Sequence, residues 1–142
     1  ITEPKAAFSA CFGAPFMAQK PGVYAELLAA KMEKHNARCI LLNTGWSGGA
    51  YGEGERMSLK YTRALLDAAL AGELDNVETE LHPIFNLKMP KTCPGVPDEI
   101  LNPKNTWTDK AAYDAAAEKL RDMFHKNFAE KKLGELGIKP VM

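Results

Sequence analysis

A chain of 142 residues is long enough for one domain with a real core and too short for two ordinary ones. With 46% apolar and 25% charged residues it has a soluble globular make-up, and its 18 basic and 18 acidic side chains cancel. That balance leaves no field to draw nucleic acid or an anionic membrane, and no apolar run reaches the length of a membrane span. The opening residues, ITEPKAAF, lack the basic start and apolar block of a signal peptide. The chain starts at Ile1 rather than at methionine, which fits a piece cut from something longer. Cys11, Cys39 and Cys93 stand far apart and in odd number, so they read as inert thiols in a reducing cytosol.

Residues 1–19 have no clear period: Phe8, Phe12, Phe16 and Met17 are apolar, while Gly13 and Pro15 break any helix. A loop or short strand packed under another body is expected there. Pro21 suits a first helical turn, and Tyr24, Leu27, Leu28, Met32 and His35 return at three- and four-residue steps, with Asn36 as a helix end. The run Cys39-Ile40-Leu41-Leu42 then reads as a strand covered on both faces. Helix, buried strand, glycine loop and helix make an α/β grammar, in which ligands sit beyond the carboxyl ends of strands.

That position falls on Asn43 to Thr62, NTGWSGGAYGEGERMSLKYT. The stretch turns through five glycines, places Arg56 just before Ser58, and continues as a helix. Backbone amides and a cation converging on a helix start suit phosphate or ribose oxygens, although most glycine loops only turn the chain. Ser58 is the expected cap and Gly72 the expected end of this helix, with Leu59, Thr62, Leu66, Ala69 and Leu70 as its inner stripe. Thr62, one turn beyond Ser58, can turn its hydroxyl toward the loop.

From Glu73 to Thr106 five prolines dissolve the pattern, apart from a short strand expected at Val77 to Leu81. Ile84, Phe85, Leu87, Met89, Val96 and Ile100 read as anchors onto a body outside these residues, and His82 as a loop residue. A final helix, capped by Thr106 or Thr108, carries Tyr113, Ala116, Leu120, Met123, Phe124 and Phe128 on one face, with His125 off the stripe and toward solvent. No HExxH, paired CxxC, GxSxG or GxxxxGK[ST] is present, and the three histidines are dispersed. By residue chemistry alone, the chain can bind an anion but has no set of groups that runs a reaction.

Six stretches in register carry a resemblance: ITEP with FSACFGAPF at 8–16, NTGW at 43–46, ERMSLKYTRALLDA at 55–68, PIFNL at 83–87, PGVP at 94–97 and LNPKNTW at 101–107. Together they resemble the C-terminal portion of ATP-dependent phosphoenolpyruvate carboxykinase, from Ile1 to about Phe128; the tail from Glu130 carries none of it. The resemblance implies an α/β fold, the C-terminal part of a mononucleotide-binding domain with helices packed on a mixed sheet, and one segment over 1–142 without an internal boundary.

The family's activity converts oxaloacetate and ATP to phosphoenolpyruvate, ADP and carbon dioxide, a step of gluconeogenesis in the cytoplasm. It uses ATP/ADP with Mg2+ and a second divalent ion, Mn2+, whose ligands lie upstream of this segment, as do the phosphate loop and the substrate arginines. The implied partners are the rest of the parent chain, oxaloacetate or phosphoenolpyruvate, and ATP; nucleic acid and membrane are not among them. The family's adenosine contacts fall on Arg56, Met57 and Thr62; no catalytic or metal-binding residue is implied here. Two departures stand out: the loop between Trp46 and Arg56 is longer than in the shortest members, and Glu55 stands where lysine is common. Two further readings are a stand-alone, non-catalytic nucleotide-binding or interaction module, and an α/β domain whose glycine loop merely turns.

Overall fold

The computed structural model of the chain describes residues 13–136 and 138. The expectations for residues 1–12, Cys11 included, therefore lie outside the described residues. The described chain groups into two compact units, one of residues 13–39 with 121–136, the other of residues 40–120.

In the first unit a 3-10 turn at Ala14–Phe16 precedes α1 (Pro21–His35). Pro21 occupies the first turn, where its missing N–H costs nothing, and Asn36 ends the helix in the left-handed region at φ 49°. Both ends lie where the sequence puts them. Leu27 and Leu28 remain largely exposed on α1. The second half of the last helix, α5 (Lys110–Glu130), belongs to this unit, followed by a 3-10 turn at Leu133–Leu136 beside α1.

The second unit has α/β character, with its strands in two short antiparallel pairs. Strands β1 (Trp46–Ser47) and β2 (Glu55–Arg56) form one, and β3 (Thr79–Leu81) and β4 (Lys88–Pro90) the other. The expected buried strand at Cys39 to Leu42 is not formed: these residues have no regular structure, and Leu41 is 74% exposed. A strand of four apolar residues needs ladder partners at its edges and cover on both faces, and the described chain provides neither at this point.

Helix α2 (Leu59–Ala71) has its expected cap, with Ser58 Oγ accepting from Lys60 N at 3.3 Å, and ends at Gly72. Its packing differs from expectation. Ala68 is buried with Cys93 and Val96, and Tyr61, Ala64 and Leu65 close around them together with Leu74, Ile100 and Leu101. Of the expected inner stripe, Leu59, Leu66 and Leu70 lie on the opposite side and are exposed, while Thr62 and Ala69 are half-buried. The helix is apolar on two opposite faces, so periodicity cannot tell which of them finds a partner. Val96 and Ile100, expected as anchors onto an outside body, pack here within the chain itself.

The proline-rich segment is more ordered than its composition suggests. It holds β3, β4 and two single-turn helices, α3 (Asp98–Leu101) and α4 (Pro103–Thr106). The cap of α5 is neither Thr106 nor Thr108. Asp109 Oδ1 takes the amides of Ala111 at 2.8 Å and Ala112 at 3.1 Å, as an aspartate at a helix start does.

Candidate functional site

The glycine loop is built on the two-residue ribbon in which Trp46 faces Arg56 and Ser47 faces Glu55. Asn43 Oδ1 accepts from Gly45 N at 3.1 Å and steers the chain into β1. At the far end the carbonyl of Ala50 takes the amides of Glu53 (3.1 Å) and Gly54 (2.8 Å), closing the turn. A Cβ on Gly54 would stand 2.6 Å from the Ser47 carbonyl oxygen and closer still to that of Gly49. The two limbs can pass this closely only because position 54 has no side chain.

The ribbon carries a cation against an aromatic ring. The Arg56 guanidinium lies 6.0 Å from the centroid of the Trp46 ring, within cation–π range, and Tyr51 meets the same ring edge-on at 5.3 Å. Trp46 is nevertheless 44% exposed, and Arg56 is exposed too. Met57 N donates to the Gly45 carbonyl at 3.0 Å, tying the exit of the loop to its entry. Thr62 stands in the first turn of α2, half-buried, with its hydroxyl donating to the Ser58 carbonyl at 3.2 Å. Its proton is thus turned onto the helix's own backbone, and toward a ligand its oxygen can act only as an acceptor.

The loop is joined to the rest of its unit at Gly48. Its N–H donates to Thr106 Oγ1 at 2.9 Å, across 58 residues, while that hydroxyl donates to the Pro103 carbonyl at 2.8 Å. Gly48 has φ +81°, which favours glycine, and a Cβ there would come to a tight 3.2 Å from the Thr106 carbonyl oxygen.

The α4 turn that presents Thr106 is itself held from three sides. Asn102 Oδ1 caps it by accepting from Lys104 N at 3.0 Å, and Asn102 Nδ2 donates to Glu80 on β3 at 2.7 Å. Lys104 pairs with Asp114 on α5 at 2.7 Å. The Lys110 ammonium donates to the carbonyls of Lys104, Asn105 and Trp107 at the C-terminal end of α4, where the Lys104 carbonyl also accepts from Trp107 N. The stretch LNPKNTW is thus a junction, with alternate residues reaching a strand, the long helix and the glycine loop.

Next to this junction sits a group for which sequence reasoning found no partner. His82 is 5% exposed, with Nε2 at 2.7 Å from the Tyr113 hydroxyl. Its Nδ1 accepts from the amides of Ile84 and Phe85, each at 3.2 Å, and its ring tilts over Phe85. Burial pulls the histidine pKa below its ordinary value, against the opposing pull of Asp114 and Glu80. Burial also raises the Tyr113 hydroxyl, so both groups are neutral near pH 7. No local sequence signal points from His82 to a tyrosine 31 residues away. Elsewhere, burial raises the Cys93 thiol, in keeping with an inert core cysteine, while Cys39 is exposed.

Chemically, the ribbon offers an exposed guanidinium beside a ring, and the first turn of α2 a hydroxyl acceptor. Among the described residues no three His, Cys, Asp or Glu side chains gather as a metal cluster, and no helix is long and apolar enough to cross a membrane.

Comparison with known proteins places these features in context. A family model described as phosphoenolpyruvate carboxykinase matches residues 1–99. The chain is 60% identical over 132 residues to phosphoenolpyruvate carboxykinase (ATP) of Geotalea uraniireducens, covering 93% of this chain and 25% of that protein. It is 58% identical over 132 residues to phosphoenolpyruvate carboxykinase (ATP) 1 of Moorella thermoacetica, with the same coverage. The match to the protein of Christiangramia forsetii, at 53%, runs over all 142 residues and 26% of that protein, and so takes in the tail that the motif resemblance leaves out. The chain spans about a quarter of the length of the curated relatives it matches.

Proposed function

The chain belongs to the phosphoenolpyruvate carboxykinase family, and from that membership we propose that it is the C-terminal segment of the nucleotide-binding domain of an ATP-dependent carboxykinase. The whole enzyme would convert oxaloacetate and ATP to phosphoenolpyruvate, ADP and carbon dioxide, as a gluconeogenic step in the cytoplasm. This segment would supply the adenosine side of the ATP site. Decarboxylation, phosphoryl transfer and the binding of Mg2+ and Mn2+ would fall to residues elsewhere in that enzyme, so the segment alone would be inactive.

The observation that carries the reading is the high identity to carboxykinases over nearly the whole chain, 53–60% in three relatives. The loop geometry is compatible with it. Arg56 is exposed and braced on Trp46, so its fork can meet ribose or base without first being ordered. The Met57 N–H is committed to Gly45, so of its two backbone groups the carbonyl is the one that would accept from the adenine amino group. Thr62, its proton turned onto Ser58, would likewise act as acceptor.

The test is a chimera: the Geotalea uraniireducens enzyme with its matching 132 residues replaced by those of this chain. Oxaloacetate- and ATP-dependent formation of phosphoenolpyruvate is expected. Within the chimera, Arg56→Ala should weaken ATP binding by about 1–3 kcal/mol through loss of a charged hydrogen bond. A folded chimera without turnover, or an Arg56→Ala variant with undiminished ATP affinity, would count against this reading. The second outcome favours instead a glycine loop that merely turns the chain.

A further inference from the structure

We infer that Thr106 is a positioning residue for ATP, setting the nucleotide-facing ribbon through its bond to Gly48; this rests on the adenosine role proposed for Arg56. Thr106 touches none of Arg56, Met57 or Thr62 in the contacts described above, and the sequence offers it only as a helix cap within LNPKNTW. Its side chain nevertheless joins the loop to the unit's framework, accepting from Gly48 N at 2.9 Å and donating to Pro103 O at 2.8 Å.

Both bonds pass through one hydroxyl, so its rotor is fixed: the proton goes to Pro103 and a lone pair to Gly48. Gly48 directly follows β1, two residues after Trp46, whose ring braces the Arg56 guanidinium. A shift of Gly48 therefore reaches the cation through a path of two residues and one ring contact.

The other end of the path is held firmly. Asn102 ties α4 to Glu80, Lys104 ties it to Asp114, and the Lys110 ammonium fills its last carbonyls. A site group fixed to within a fraction of an ångström needs such a supporting layer. Close approach accompanies the hydroxyl bond: a Cβ on Gly48 would stand 3.2 Å from the Thr106 carbonyl oxygen, tighter than ordinary contact. The ribbon is thus held against α4 through Thr106 Oγ1.

The experiment uses the chimera described above with Thr106→Val, Thr106→Ser and Arg56→Ala, reading ATP affinity by calorimetry, KM for each substrate and kcat. Valine keeps the shape and removes the acceptor, leaving a part-buried N–H unmatched; ATP affinity should fall about five- to tenfold. Serine keeps the hydroxyl and should restore it. The oxaloacetate KM should stay level, because the effect on the site runs through the ribbon alone.

Equal loss of affinity for both substrates, or failure of serine to restore ATP binding, would reduce Thr106 to a general stabilising residue and overturn the inference. If Arg56→Ala weakens ATP binding and Thr106→Val does not, the positioning role alone falls. If Arg56→Ala has no effect, the adenosine reading falls, and the inference with it.

Discussion

His82 Nε2 and the Tyr113 hydroxyl lie 2.7 Å apart in the interior, joining the end of β3 to the first turns of α5. Because Nδ1 accepts from two amides, the imidazole proton must sit on Nε2, and the histidine donates to the tyrosine. A second proton would have to enter on Nδ1, facing the N–H groups of Ile84 and Phe85.

Stability should therefore depend on pH with a definite sign. The folded-state pKa of His82 is lowered from 6.5, so the unfolded chain binds the proton more readily. Its contribution is fully present above about pH 6.5 and is lost as pH falls through the lowered folded value. The groups facing it include Asp114 on α5, Glu80 on β3 and Lys104 on α4. Thermal unfolding followed from pH 8 to pH 5 should show a falling midpoint. His82→Asn, whose Oδ1 can still take the two amides, should flatten that slope, and an unchanged slope would contradict the assignment.

Tyr113→Phe keeps the ring that meets Trp107 edge-on at 5.6 Å but removes the acceptor for His82. The buried imidazole N–H is then left unmatched, at a cost of about 1–3 kcal/mol. Denaturant unfolding measures this, and a loss below a few tenths would mean that water replaces the hydroxyl.

Asn102 serves two elements with one amide, capping α4 and holding Glu80. Asn102→Ala should cost about 1–2 kcal/mol, and Asn102→Ser, which can cap but cannot reach Glu80, should recover only part of it. Glu80→Gln should by contrast be mild, because an amide oxygen still accepts from Asn102. A double-mutant cycle over positions 80 and 102 isolates the pair.

Gly54→Ala brings a methyl group against the carbonyls of Ser47 and Gly49, which belong to the opposite limb of the same loop. Backbone cannot swing aside as a flexible side chain does, so a penalty of about 1–3 kcal/mol is expected, with loss of the Trp46–Arg56 register. Near-ultraviolet circular dichroism, sensitive to the packing of Trp46 on Tyr51, reports the change. A spectrum and stability like those of the parent would show that the limbs can separate at no cost.

On α2, Leu66 and Leu70 are exposed on the side away from the Ala68 cluster. Replacing both with glutamate should reduce association of the isolated chain in light scattering while leaving its helicity within about a tenth of the parent's. Helix loss would mean that this face, too, is packed internally.

Local signals in the chain determined a good deal. Pro21 and Asn36 bound α1, Ser58 and Gly72 bound α2, and the glycines at 45–54 announce a close turn, because caps and turns depend on the nearest few residues. The motif order from ITEP to LNPKNTW was enough for the family. Tertiary structure decided the remainder. Only it selects between the two apolar faces of α2, pairs Thr106 with Gly48 across 58 residues, and turns His82 from a loop residue into a buried strut against Tyr113. It also leaves Ile40 to Leu42 without a strand, since a strand forms only where another segment lies alongside to pair with it. The division has one physical reason. A cap or a turn is closed within a single turn of chain, whereas burial, strand pairing and long-range hydrogen bonds depend on what the fold brings alongside.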